Sequence, residues 1–127
     1  NLSTAVQKGG YAVTARFENI GGLKVRSPVK MSGVPVGRVV SIGFDDKIYE
    51  AVVEMAIEPQ FTRIPTDTTA SVLTSGLLGE QYVGLDPGAE EKFLKNGDAI
   101  TITQSSLILE KLIGQILYSK AAGEGNK

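Results

Sequence analysis

Apolar and polar residues alternate with a period of two along most of the chain between residues 11 and 103. Successive side chains of a β-strand point to opposite faces of a sheet, so this alternation predicts strands with one buried face. The strands predicted in this way span residues 11–17, 38–44, 51–57, 66–73, 81–85 and 99–103. Six or seven short strands separated by turn residues predict a small β-barrel or β-sandwich.

Turn-forming residues divide these strands. Residues 27–37 are rich in Ser, Pro and Gly, and we interpret them as a loop. The acidic turn at 45–47 predicts a hairpin between the strands on either side of it. The Asn-Gly-Asp sequence at 96–98 is a strong signal for a tight turn, and it leads into a strand with Ile100 and Ile102 expected on one face.

The hydrophobic period changes to that of a helix after residue 104. Apolar residues then recur at i, i+3, i+4, i+7 and i+8, which predicts an amphipathic α-helix. They are Leu109, Leu112, Ile113, Ile116 and Leu117, and Ile108 widens this apolar stripe. We therefore predict a tether at 1–9, a β-barrel domain at 10–104, a C-terminal amphipathic helix at 105–120 and a disordered tail at 121–127.

Two adjacent leucines stand in the turn between the predicted strands 66–73 and 81–85. Leu77 and Leu78 are flanked there by Gly76 and Gly79. Neighbouring residues of a regular strand cannot both face a core, and the glycines permit a tight turn. Two interpretations are open: the leucines fold back into the domain's own core, or they contact a partner chain, a lipid or symmetry-related copies. The C-terminal helix likewise either closes the core or packs among several copies.

Composition narrows the chemistry that the chain can perform. Its 127 residues include no Cys, His or Trp, and its net charge is −1. Without thiols or imidazoles it lacks the usual nucleophiles, the usual general base near neutral pH and the ligands of most zinc and haem sites. It also contains no glycine-rich phosphate-binding motif. We therefore predict that the protein is not an enzyme and holds no cofactor or metal.

The charged residues do not indicate a nucleic-acid partner. Lys24, Arg26, Lys30 and Arg38 form a mild basic cluster, which we interpret as a solvated face. Binding of single-stranded nucleic acid requires a more positive groove and more aromatic residues. The chain contains no run of about 18 apolar residues, so no membrane span is predicted within it. Because it begins with Asn, we expect a piece of a longer protein.

Three blocks of sequence resemble the MCE domain family. Residues 11–39 read YAVTARFENIGGLKVRSPVKMSGVPVGRV, with the family's Phe-x-Asn-Ile-x-Gly-Leu and Gly-Val-x-Val-Gly-x-Val patterns. Residues 74–85 read TSGLLGEQYVGL, and residues 109–120 read LEKLIGQILYSK. The last two blocks are similar to the single-domain subunits of a Gram-negative lipid transport system. The resemblance covers most of residues 11–120.

The resemblance implies a seven-stranded β-barrel that assembles into a homohexameric ring around a central pore. It implies that Leu77 and Leu78, between Gly76 and Gly79, line this pore, and that the helix bundles with its five counterparts. Such subunits are held in the inner membrane by an N-terminal helix, which this chain does not contain, and they face the periplasm. They act with the permease and ATPase subunits of an ABC transporter, and with a periplasmic lipid-carrier protein.

The transport that the resemblance implies moves phospholipid between the inner and outer membranes and maintains the lipid asymmetry of the outer membrane. The alternative that we retain is a monomeric β-barrel adaptor. Such an adaptor would dock a protein partner through its leucine turn and its C-terminal helix.

Overall fold

The structure is a computed structural model that describes residues 8–106 and 116–117. The described part is mainly β and forms one eight-stranded, nearly closed, barrel-like sheet. The strands are β1 (Tyr11–Phe17), β2 (Pro28–Met31), β3 (Val34–Asp45), β4 (Glu50–Ile57), β5 (Thr69–Thr74), β6 (Gln81–Asp86), β7 (Ala99–Ile100) and β8 (Ile102–Gln104). Their order in the sheet is β7-β1-β4-β3-β2-β6-β5-β8.

The two edges of this sheet are formed by one short stretch of chain. β7 pairs in parallel with β1, and β8 pairs in parallel with β5. Only Thr101 separates β7 from β8, so the same stretch lies along both edges and brings them together. The last predicted strand, 99–103, is thus divided in two, and the described residues contain eight strands where seven were expected.

The division at Thr101 also changes which side chains are buried. Ile100 in β7 is buried, whereas Ile102 in β8 is 47% exposed, so the prediction that they lie on one face of one strand is wrong. The period-two rule holds only along one continuous strand, and here the chain changes its pairing partner between the two residues.

Residues 27–37, interpreted from the sequence as a loop, contain a hairpin instead. They include β2 and the start of β3, joined by Ser32 and Gly33 with φ of 52° and 79°. Positive φ at both central residues is the geometry of a two-residue turn that matches the twist of its strands. The Ser, Pro and Gly residues of this segment therefore led the sequence analysis to miss β2 and the start of β3.

Gly37 shows why one glycine of the MCE pattern belongs in a strand. A Cβ atom placed on Gly37 would lie 2.1 Å from the carbonyl oxygen of Ala56. β3 therefore approaches β4 more closely at this point than any side chain would permit, and Gly37 packs directly against the neighbouring backbone.

The predicted hairpin of β3 and β4 is confirmed, and its turn is held by a carboxylate. Asp45 accepts hydrogen bonds from the backbone N–H of Lys47 at 3.0 Å and from Nη1 of Arg16 at 2.6 Å. The Lys47 N–H, and after it the Arg16 guanidinium, lower the pKa of the Asp45 carboxyl. Asp45 thus closes the turn through Lys47 and connects it to the end of β1 through Arg16.

One apolar core fills the space that the sheet encloses, and it confirms the predicted inward faces of β1 and β4. The largest of the apolar side chains that are under 2% exposed are Phe17, Met55, Ile57, Val13, Val29, Val39, Val53 and Val83. Burying a side chain of this size stabilises the fold by about 1.5–3 kcal/mol. The core is therefore the main source of stability in this sheet.

Most of the predicted tether (1–9), most of the predicted helix (105–120) and the predicted tail (121–127) lie outside the described residues. Ser105 and Ser106 follow β8 without regular structure, and Ile116 and Leu117 are helical and about 60% exposed. Residues 8–106 and 116–117 contain no helix long and apolar enough to cross a membrane. The C-terminal helix stays a prediction.

Candidate functional site

Strand direction brings four segments to one end of the sheet. β1, β3, β5 and β8 finish at this end, and β4 and β6 begin there. The end therefore carries the β1–β2 connection (18–27), the β3–β4 turn (46–49), the β5–β6 turn (75–80) and residues 105–106. We call it the leucine end. The leucine turn and the segment leading to the predicted helix thus leave the sheet on the same side.

The two adjacent leucines project from the β5–β6 turn. Leu77 is 79% exposed and Leu78 is 82% exposed. The interpretation that they fold back into the core of their own chain is therefore wrong. Full burial of a leucine is worth about 1.5–3 kcal/mol, so the single chain forgoes most of that stabilisation at both positions.

Glycine geometry determines the shape of this turn. Gly76 has a φ of 69°, and the backbone N–H of Ser75 donates a hydrogen bond to the carbonyl of Glu80 at 2.9 Å. A Cβ atom on Gly79 would lie 1.9 Å from the carbonyl oxygen of Ser75. Both glycines predicted at the site are thus required by the turn, which closes tightly and leaves the leucines at its tip.

A hydrogen-bond network centred on Gln81 joins the leucine turn to the chain's C-terminal segment. Nε2 of Gln81 donates to Oγ1 of Thr74 at 3.2 Å and to Oγ of Ser106 at 2.9 Å, and its Oε1 accepts the backbone N–H of Gly22. The N–H of Ser106 in turn donates to the carbonyl of Asn19 at 2.9 Å. Ser106, the last described residue of this segment, is therefore fixed beside the leucine turn.

The leucine end carries a second apolar group, on the β3–β4 hairpin. Phe44, Ile48 and Tyr49 are 67%, 53% and 74% exposed, and the rings of Phe44 and Tyr49 are 6.4 Å apart. Phe44 pairs with Ala51 near the tip of this hairpin, which extends beyond the enclosed core, so its side chain stays exposed.

A strained turn of the β1–β2 connection lies beside the leucine turn. The N–H of Ser27 donates to the carbonyl of Lys24 at 3.0 Å, and Oγ of Ser27 accepts the Lys24 N–H at 3.1 Å. Within this turn, Arg26 has a φ of 80°. A left-handed backbone costs a residue with a Cβ about 1–2 kcal/mol. Nζ of Lys24 lies 3.4 Å from Oε2 of Glu80, the last residue of the leucine turn.

A cavity lies at the opposite end of the sheet, near the start of β1. It has a volume of about 760 Å³, and Tyr11, Phe93 and Leu94 are among its lining residues. The Tyr11 hydroxyl donates to the carbonyl of Phe61 at 2.5 Å, and burial raises the pKa of this phenol. The predicted residues of the leucine turn, 76–79, do not line this cavity.

The remaining predicted site residues belong to the C-terminal helix. Ile108, Leu109, Leu112 and Ile113 lie outside the described residues, and Ile116 and Leu117 are exposed. Within residues 8–106 and 116–117, no group of three acidic side chains is placed to hold a metal ion.

A small, nearly closed β-sheet that carries both MCE sequence patterns places this chain in the class of MCE domains. A sequence model described as "MlaD protein" matches residues 9–88. The chain belongs to the MlaD family.

Curated relatives and a solved structure agree with this assignment. The chain is 45% identical over its whole length to the intermembrane phospholipid transport system binding protein MlaD of Haemophilus influenzae, and it covers 78% of that relative. It is 46% identical to the protein of the same name from Escherichia coli K12, of which it covers 72%. A chain of the Acinetobacter MlaFEDB complex in its ATP-bound Vtrans1 conformation superposes with a TM-score of 0.78 at 28% identity, over 91% of this chain and 89% of that one.

Proposed function

We propose that this chain is the periplasmic lipid-binding part of a membrane-anchored subunit of an ABC transport system. Six copies form a ring, and its apolar central pore conducts phospholipids between the inner and outer membranes. The observation that carries the proposal is the pair of leucines, 79% and 82% exposed, on a turn whose glycines hold them away from the core of their own chain.

The energetics of lipid transfer explain why such a pore requires exposed leucines. Bringing a lipid tail into water costs about 0.8 kcal/mol per CH₂ group, so a tail of about 16 carbons loses more than ten kcal/mol. A conduit must therefore offer a continuous apolar wall. Leu77 and Leu78, repeated around a shared axis, supply part of this wall and are covered by one another and by the lipid.

The C-terminal helix extends the apolar path in this proposal. Ser106 is fixed to Gln81 beside the leucine turn, so six helices would leave the ring around the same axis as the leucines. The apolar stripe that begins at Ile108 and ends at Leu117 would face the other helices and the lipid. The apolar stripe is wider than a helix packed on one sheet would bury, and packing among several helices would cover it.

The proposal assigns no covalent chemistry to this chain. The permease and ATPase subunits supply the ATP-driven step, a periplasmic lipid-carrier protein exchanges lipid with the ring, and an N-terminal helix beyond this chain anchors it in the inner membrane. The similarity to a chain of the ATP-bound MlaFEDB complex supports the ABC transporter partners, and the names of the relatives support a role in intermembrane phospholipid transport.

Oligomer mass and lipid capture together test the proposal. Native mass spectrometry of the full-length protein is expected to give six times the subunit mass, with phospholipid bound. A photo-crosslinking amino acid at position 77 or 78 is expected to capture phospholipid in cells. Position 48 is the matched control, because Ile48 is also exposed at the leucine end but belongs to the other hairpin.

The monomeric adaptor predicts the opposite results. A single species at the subunit mass over a wide concentration range, with crosslinks from Leu77 and Leu78 only to another polypeptide, would overturn the ring in favour of that alternative.

A further inference from the structure

The turn at 24–27 holds two cations beside the leucine turn. Lys24 and Arg26 are exposed, and together with residues of both turns they line a cavity of about 310 Å³. This volume corresponds to about ten water molecules in the liquid, so it has room for a hydrated anion. The residues around it are Lys24, Val25, Arg26, Ser27, Pro28, Glu80 and Gln81.

The backbone of Arg26 is the first sign that this turn has a role beyond connecting two strands. Its φ of 80° stands at the third position of a four-residue turn, where glycine or asparagine is normally required. An arginine therefore holds a position that glycine would occupy without strain. Strain of this kind persists where a side chain is needed at that place for function.

The side chains of this turn are available to an anion. Within the described residues, Arg26 makes no side-chain hydrogen bond or ion pair. Nζ of Lys24 pairs with Oε2 of Glu80 at 3.4 Å, and both side chains are at least 66% exposed. An exposed pair of this type contributes little to stability, so a doubly or singly charged oxyanion can displace the Glu80 carboxylate from Lys24.

The position of the cavity indicates which anion it fits. Glu80 and Gln81 connect it covalently to the leucine turn, and the Gly22 N–H bonded to Gln81 connects it to the cationic turn. A ligand that spans both turns is anionic at one end and apolar at the other. A phosphodiester with acyl chains has this chemistry, and Arg and Lys are the side chains that bind phosphate oxygens most effectively.

We infer that Lys24 and Arg26 bind the phosphate of a phospholipid whose acyl chains lie against Leu77 and Leu78. The inference rests on the proposed lipid-conducting function and adds a headgroup contact to it. Glu80 competes with the phosphate for Lys24, so it lowers the affinity for the lipid and allows the lipid to be released.

Substitutions at Arg26 separate phosphate binding from backbone strain. The affinity for dihexanoyl-phosphatidylglycerol is measured by titration below the micellar concentration of the lipid, from the NMR shifts of residues 22–28 and 80–81. Arg26→Gly is expected to bind this lipid about fivefold more weakly than the wild-type protein. The same variant is expected to gain about 2–4 °C in Tm, since glycine relieves the positive φ. Arg26→Lys should retain most of the affinity because it keeps the charge.

Two further variants serve as matched tests. Ser32→Gly relieves another positive φ, of 52°, away from the cavity, and is expected to raise Tm without changing lipid affinity. Glu80→Gln removes the competing carboxylate, and it is expected to raise affinity by about two- to threefold. Opposite effects on affinity at Arg26 and Glu80 are what a phosphate site requires and what a purely structural turn would not give.

The probes distinguish the sources of the anion and separate this inference from the proposed function. Inorganic phosphate that shifts residues 22–28 with an affinity equal to that of the lipid would show a free-phosphate site and overturn the lipid assignment. Lipid binding at Leu77 and Leu78 that is unchanged in Arg26→Gly would overturn the headgroup contact while leaving the conduit intact. Binding of neither probe to the wild-type protein would overturn the inference, and the ring would then be judged by its mass and crosslinks alone.

Discussion

Replacing both exposed leucines with aspartate separates their role in transport from any role in folding. Leu77 and Leu78 are 79% and 82% exposed, so only about a fifth of each side chain is buried in the single chain. At about 1.5–3 kcal/mol for complete burial of a leucine, the two substitutions together remove about 1 kcal/mol of folding stability. A domain of about 100 residues would then lose about 4–8 °C in Tm.

The effect on lipid is expected to be far larger. In a ring of six copies, the double variant brings twelve carboxylates to the pore axis, and an acyl chain would have to pass groups that are costly to desolvate. Phospholipid recovered by solvent extraction of the purified protein, and quantified by mass spectrometry, is expected to fall to background. Circular dichroism and thermal unfolding of the same sample measure whether the sheet is intact.

The matched control places the same charges on the other turn of the leucine end. Ile48→Asp combined with Tyr49→Asp adds two carboxylates to an adjacent, exposed apolar pair, and it is expected to leave bound lipid unchanged. The reasoning would be refuted if the Leu77 and Leu78 variant unfolded the domain, since removing buried leucines costs about 2–5 kcal/mol each. Equal loss of lipid in the control would refute the special role of the leucine turn.

Three other outcomes test the fold and the assembly. Gly37→Ala is expected to cost at least about 2 kcal/mol by forcing β3 away from β4, whereas Gly43→Ala, with open space around its Cβ, should leave Tm nearly unchanged. The Lys47 N–H and the Arg16 guanidinium lower the pKa of Asp45 below its ordinary 3.8. The ionised carboxylate therefore contributes fully to folding stability above that pH, and this contribution is lost as the pH falls through the lowered pKa. Acid unfolding of Asp45→Asn should lack this pH-dependent loss of stability, whereas Asp46→Asn should keep it. Truncation before Leu107 is expected to weaken the assembly, and an unchanged oligomer mass would show that the barrel faces hold the ring by themselves.

Local periodicity predicted the strands that carry the core but failed where turn residues and strands coincide. The alternation in β1 and β4 identified their buried faces, because a side chain's face depends only on its position along one strand. β2 was missed because a proline begins it and a Ser-Gly turn follows it. The division at Thr101 was missed because nothing in residues 99–104 records that the chain changes its pairing partner there.

The candidate site was also predicted only in part, because a local pattern records neighbouring residues and not contacts between distant ones. Two adjacent leucines between glycines are visible in the sequence, but their exposure was one of two open interpretations until the fold decided it. The strained Arg26 gave no signal, because positive φ is expected of glycine and asparagine and not of arginine. The hydrogen bonds of Gln81 itself join residues up to 59 positions apart, which no local pattern can indicate.

By itself the sequence determined a mainly β domain, the buried faces of β1 and β4, the exclusion of thiol and imidazole chemistry and the family membership that the MCE patterns indicate. Only the tertiary structure decided the strand order, the near closure of the sheet through one stretch of chain and the meeting of the leucine turn, the cationic turn and the C-terminal segment at one end. The physical reason is that the direction of a side chain follows from its immediate neighbours along the strand. Which strands lie side by side depends instead on parallel pairings such as β2 with β6 and β5 with β8, whose free energy comes from packing between distant parts of the chain.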